Sequence, residues 1–82
     1  MATPADTVTV RLFAGLEQRT AERRATCELP VAEAPTVRAL RGVLGLADGA
    51  AGIVLVNGVH AVDDASLHAG DAVSLFPPLG GG

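Results

Sequence analysis

Thr36-Val37-Arg38-Ala39-Leu40-Arg41-Gly42-Val43-Leu44-Gly45 is the stretch on which the fold turns, because its apolar residues recur at helical spacing. Thr36 is placed to cap a helix, its hydroxyl accepting from a free amide of the first turn. Val37, Leu40, Val43 and Leu44 then share one helical face while Arg38 points away. Gly45 is the stop signal, and Leu46 to Gly52 reads as a loop rich in Gly and Ala.

The sequence on either side of this helix reads as strands. Upstream, Val8, Val10 and Leu12 alternate with Thr9, Arg11 and Phe13, the period of a half-buried strand, until Ala14-Gly15 stops it. Leu16 to Glu22 reads as a turn or two of helix, Arg23-Arg24 as an exposed turn, and Ala25 to Leu29 as a second strand ended by Pro30. Val31 to Pro35 connects it to the helix. Downstream, Ile53-Val54-Leu55-Val56 is a short apolar run followed by Asn57-Gly58, a strong hairpin signal, and a return strand Val59 to Val62. Asp63-Asp64 opens a polar turn region running to Gly70-Asp71, and the last strand, Ala72 to Phe76, ends in Pro77-Pro78.

The first two strands are close in sequence and pair as an antiparallel hairpin. A lone amphipathic helix has only the sheet on which to bury its stripe. The right-handed crossover rule then puts the first and last strands side by side and parallel in the centre. The expected fold is α+β: a β-grasp with a mixed sheet of four to five strands and one main helix on one face. It spans residues 8–78, with 1–7 a disordered lead-in and 79–82 a flexible tail.

Composition narrows the function. A chain of 82 residues makes one domain with a small core. Nine acidic residues oppose six arginines, for a net charge of −3; the arginines are scattered, and Phe13 and Phe76 are the only aromatics. Such a surface does not suit nucleic acid. There is no lysine, so no attachment or Schiff base can form on a side-chain amine. The single cysteine fits a reducing compartment, the N-terminus lacks the pattern of a signal peptide, and no apolar run approaches the roughly 20 residues that span a bilayer. The expected location is the cytoplasm.

The tail carries the chemistry. Pro77-Pro78 cannot continue a ladder and projects the last residues outward. Gly80-Gly81-Gly82 has no Cβ atoms and suits a narrow channel in another protein. At about 3.3 Å per residue, Leu79 to Gly82 reach roughly 13 Å. The carboxylate at the tip is a poor electrophile and needs activation, as by adenylation. No phosphate-binding loop is present, so the ATP must be held elsewhere. By composition alone, a solvated flexible end accounts for these glycines equally well.

Val10-Arg11-Leu12-Phe13-Ala14, Val56-Asn57-Gly58, Ala69-Gly70-Asp71 and above all Leu75-Phe76-Pro77-Pro78-Leu79-Gly80-Gly81-Gly82 resemble the MoaD/ThiS sulfur carriers, in order and over nearly the whole chain. The likeness is nearer to MoaD, the small subunit of molybdopterin synthase, than to the thiamin-thiazole carrier ThiS. It implies a ubiquitin-like fold and a C-terminal glycine, here Gly82, carried as acyl-adenylate and then as thiocarboxylate. Gly80 and Gly81 would thread the partner's active site. The chain would be a co-substrate or non-catalytic subunit rather than an enzyme, binding no cofactor. An adenylating enzyme of the MoeB/ThiF type would use the ATP and Mg, and a desulfurase or rhodanese would donate sulfur. MoaE, the large subunit, would be the partner in molybdenum cofactor synthesis. Service to thiamin, cysteine or another sulfur metabolite, or protein modification through Gly82, are the alternatives. The chain departs from the usual pattern in ending on three glycines and in a helix interrupted by Gly42 and Gly45.

Alternation also predicts a docking face. With Val8, Val10, Leu12, Val73 and Leu75 toward the helix, Arg11, Ser74 and Phe76 fall on the open side, beside Pro77, Pro78 and Leu79. Phe13 either joins them or turns into the core at the strand end, the second being expected from the pull of burial on an aromatic ring. Cys27 shares parity with Leu29 and reads as a buried small hydrophobe. His60 and His68 read as surface residues with no companions for a metal, and Asp63-Asp64 as an ordinary polar turn.

Overall fold

The computed structural model describes residues 6–20, 25–46 and 51–78. Strand β1 (Thr7–Leu12) is followed by a 3₁₀ turn (Leu16–Arg19), β2 (Thr26–Pro30), helix α1 (Val37–Leu44), the hairpin β3 (Ile53–Val56) and β4 (Val59–His60), and β5 (Ala72–Phe76). The sheet order is β2-β1-β5-β3-β4, with β1 and β5 parallel and the other neighbours antiparallel. This is the expected β-grasp.

Alternation in β1 buries Val8, Val10 and Leu12, and the register sets Val10 beside Val73 and Leu12 beside Leu75. Val54, opposite Leu75, completes the inner row of the sheet. Val37, Leu40 and Leu44 of α1 are buried in the same core. Thr36 caps the helix as expected, its Oγ1 accepting from the Ala39 amide at 3.1 Å. The free amides of Val37 and Arg38 donate to the Ala65 and Asp63 carbonyls at 3.1 and 2.9 Å. At the far end Gly45 takes φ 77°, and its amide returns to the last carbonyls of the helix.

The helix stripe differs from expectation at one position. Val43 is 42% exposed, whereas Arg41 is only 8% exposed. The i, i+3, i+4, i+7 set starting at Val37 is Val37, Leu40, Arg41 and Leu44, so Arg41 occupies the inward row and Val43 falls outside it. The aliphatic stem of Arg41 covers apolar surface, and its Nη2 meets Asp63 Oδ2 at 2.6 Å. Arg38 pairs with Asp64 at the surface. Asp63-Asp64 does lie in a turn, and its carboxylates also bind the segment before β5 to the helix.

Other boundaries moved for local reasons. The helical segment after β1 is a single 3₁₀ turn that ends at Arg19, where the Thr20 hydroxyl donates to the Glu17 carbonyl at 2.8 Å. Leu16, 1% exposed, ties that turn to the core. Pro30 is the last residue of β2 rather than its terminator. Val31 donates to Asp6 and Leu12 to Ala25, so the hydrogen-bonded pairs alternate and Pro30 falls between them, its missing N–H facing away from β1. Strand β4 is two residues long, although Ala61 still donates to Val54 at 2.9 Å. Val62 is outside it and exposed. Cys27 packs against the core from the sheet edge but is half-buried rather than fully buried. His60 and His68 are exposed. The expected turn at Arg23-Arg24 lies outside the described residues.

Candidate functional site

Because β1 and β5 are parallel, these two central strands finish at the same end of the sheet. The Phe13 amide donates to the Leu75 carbonyl at 3.0 Å, carrying the ladder one step past Leu12. Phe13 and Phe76 therefore stand side by side, their rings stacked with centroids 4.7 Å apart and planes 10° off parallel. The expectation that Phe13 turns into the core fails: it is 39% exposed. Leu12 already fills the inward position, and the chain reverses at once through Ala14 (φ 56°) and Gly15 (φ 85°), with Leu16 donating back to Phe13 at 3.0 Å. Held in strand parity, Phe13 has the ring of Phe76 as its apolar partner.

The register places Arg11 opposite Ser74, and Ser74 opposite Leu55, on the face away from α1. Ile53, opposite Phe76, joins the same face at the exit end. Arg11 is exposed, while Phe76, Ile53 and Leu55 are half-buried. The open face thus carries an apolar strip of Phe13, Phe76, Ile53 and Leu55 with one cation beside it. Pro77 is half-buried and Pro78 exposed as the chain leaves β5. Gly52, just ahead of β3, donates its amide to the Phe76 carbonyl at 2.8 Å. Sequence reasoning missed Gly52 and Ile53. The antiparallel register of β3 on β5 brings them here, and a single chain of letters does not display that register. Leu79, Gly80, Gly81 and Gly82 lie outside the described residues.

The other resemblance-bearing motifs meet at the opposite end of β5. Asn57 and Gly58 both take positive φ, 53° and 82°, the signature of a type I′ hairpin. Asn57 then locks the start of β5: its amide donates to the Ala72 carbonyl at 2.7 Å, and its Oδ1 accepts from the Ala72 amide at 2.9 Å. Its Nδ2 donates to Asp71 Oδ1 at 2.9 Å. The His68 amide donates to Asp71 Oδ2 at 2.8 Å, and this bond, ahead of the one from Asn57, holds the Asp71 carboxyl below its ordinary 3.8. Val56-Asn57-Gly58 and Ala69-Gly70-Asp71 are thus one anchor, remote from the exit.

Among the described residues no group of three His, Cys, Asp or Glu could hold a metal ion, and no helix is long and apolar enough to cross a membrane. The described part of the site is an apolar and cationic surface beside the point where the chain leaves β5.

Comparison with solved structures agrees with this architecture. SAMP1 from Haloferax volcanii is 29% identical, with 93% of this chain and 99% of that one covered at a TM-score of 0.66. A putative molybdopterin converting factor subunit 1 from Pyrococcus furiosus is 26% identical over 89% of this chain and 98% of that one, again at 0.66. Urm1 from Trypanosoma brucei, at 23% identity, covers 99% of this chain and 100% of its own with a TM-score of 0.70, a likeness of fold alone. Among curated proteins there is no significant match. The ThiS family model matches residues 10–82, from the middle of β1 through the last glycine. With a ubiquitin-like β-grasp and a match running from Val10 to Gly82, the chain belongs to the ThiS family.

Proposed function

We propose that this protein is a sulfur carrier that works through the carboxylate of Gly82. The observation that supports the reading is a family match running through Gly82 together with an aromatic and cationic surface where β5 ends. The Pro77-Pro78 exit leaves β5 beside the stacked Phe13 and Phe76 and the exposed Arg11, and the family match continues to residue 82. In a partner's site the Gly82 carboxylate attacks the α-phosphorus of Mg-bound ATP, and pyrophosphate leaves. A hydrosulfide or persulfide sulfur then attacks the carbonyl carbon, and AMP leaves with the electron pair of the C–O bond. From a persulfide, a second thiol cleaves the S–S bond, leaving the thiocarboxylate and a disulfide. The chain is a co-substrate here, and the cytoplasm, where thiols stay reduced, suits it.

Arg11 and Phe76, with Phe13 and Ile53, dock the activating enzyme, while Pro77, Pro78 and Leu79 lead Gly80 and Gly81 into its active site. Intact mass tests this. After incubation with ATP, Mg, a MoeB/ThiF-type enzyme and a desulfurase or rhodanese, the mass should rise by the difference between sulfur and oxygen. An unchanged mass rejects every carrier reading.

The likeness to a molybdopterin converting factor subunit 1 favours molybdenum cofactor synthesis with a MoaE-type large subunit. Failure to form a complex with such a subunit removes that pathway and leaves the carrier chemistry standing. A second reading rests on 28% identity to a small archaeal modifier protein. High-mass conjugates in cell extract that disappear when Gly82 is deleted would favour it.

A further inference from the structure

Gly52 meets the exit more closely than any hydrogen bond requires. A Cβ built on it would lie 2.5 Å from Pro78 Cα, 2.8 Å from Pro78 N and 3.1 Å from Pro78 Cβ. Carbon atoms in contact settle at about 3.5–4.0 Å, so no side chain fits between β3 and the departing chain. At Gly15, Gly42, Gly58 and Gly70 the same construction meets nothing within 4 Å. Nor does Gly52 have the positive φ of Gly15, Gly45, Gly58 and Gly70. Its missing side chain serves close approach, not backbone freedom.

Pro77 and Pro78 have no N–H, so no ladder bond from their nitrogens can hold them. Beyond the Phe76 carbonyl, which accepts from Gly52 at 2.8 Å, the path of the chain depends on two locked φ angles and on what it lies against. Pro78 lies against Gly52. We propose that Gly52 is a positioning residue: its bare Cα seats Pro78 and so sets the direction in which the chain leaves β5. This rests on the carrier reading above, since direction matters only if the tip must enter another protein's site.

The position separates function from stability. The atoms in the way are backbone atoms of the chain's own exit segment, so Gly52→Ala must displace Pro78, which lies outside the buried core. Docking uses the open face and is unaffected, but the carboxylate arrives displaced. Displacements of about 1 Å cost reactions on the order of 100-fold. In the activation assay we expect Gly52→Ala to lower kcat at least about tenfold while KM stays within about twofold. Gly52→Val should lose more, and Gly42→Ala should behave as the parent chain. Thermal unfolding of Gly52→Ala should stay cooperative, with a midpoint only modestly below that of the parent chain, because the displaced backbone lies outside the core. By NMR, the parent should show a cross-relaxation contact between the α-protons of Gly52 and Pro78 that weakens in Gly52→Ala. Three results overturn the proposal: no such contact in the parent, unchanged kcat in Gly52→Ala, or a kcat loss matched by loss of folded protein. A parent chain that takes up no sulfur overturns the carrier reading instead, and the two failures are told apart by that control.

Discussion

At its Ala72 end, β5 is fastened by Asn57-Gly58; at its Phe76 end, it lies beside Ala14-Gly15. Both pairs take positive φ at both residues. In the first, the left-handed residue is Asn, which tolerates that conformation and uses its side chain to bind Asp71 and Ala72. In the second it is Ala, which has no such compensation, and around it stand the exposed Phe13 ring, the half-buried Phe76 ring and the exposed Arg11. One end satisfies every local rule. The other breaks a conformational rule and leaves its aromatics at the surface. Such departures are expected where a protein presents something rather than merely holds together.

The contrast can be broken experimentally. The largest effect should come from Asn57→Ala, which removes two side-chain hydrogen bonds and the residue suited to the turn. A loss of about 2 kcal/mol by urea unfolding is expected, with sulfur uptake by the folded fraction unchanged. A stable Asn57→Ala chain with impaired uptake would reverse the roles of the two ends. Arg11→Glu should do the opposite, weakening the complex with the adenylating enzyme by about tenfold in titration calorimetry and leaving unfolding unaltered. Ala14→Gly relieves the strained φ and should stabilise the chain by roughly 1 kcal/mol or less, because glycine's greater unfolded freedom offsets part of the gain.

The smallest effect concerns pH. The Asp71 carboxyl titrates below 3.8 in the folded chain, so its contribution is present above that value and fades as pH falls through the folded pKa. Stability measured downward from about pH 5 should fall less steeply in Asp71→Asn than in the parent. An equal slope would show that other carboxylates govern acid unfolding.

Much of the fold was legible because it rests on local rules. Alternation in Val8 to Leu12, the Thr36 cap, the Gly45 stop and the Asn57-Gly58 turn each depend on a few neighbouring residues. Two of the misreadings arose where a distant residue decided. Arg41 is tolerated inside the helix stripe because Asp63, 22 positions on, supplies its counter-charge. Phe13 stays out because Phe76 offers it a ring. The position of Arg11 and Phe76 on one open face followed from strand parity and needed only the parallel pairing of β1 with β5.

By itself the sequence determined the order of elements, the buried faces of the strands and the glycine-ended exit, because backbone propensity and alternation act over a few residues. Only the tertiary structure decided which atoms border that exit. Gly52 and Pro78, or Phe13 and Phe76, become neighbours through strand register, which is chosen by the packing of the whole sheet against its helix.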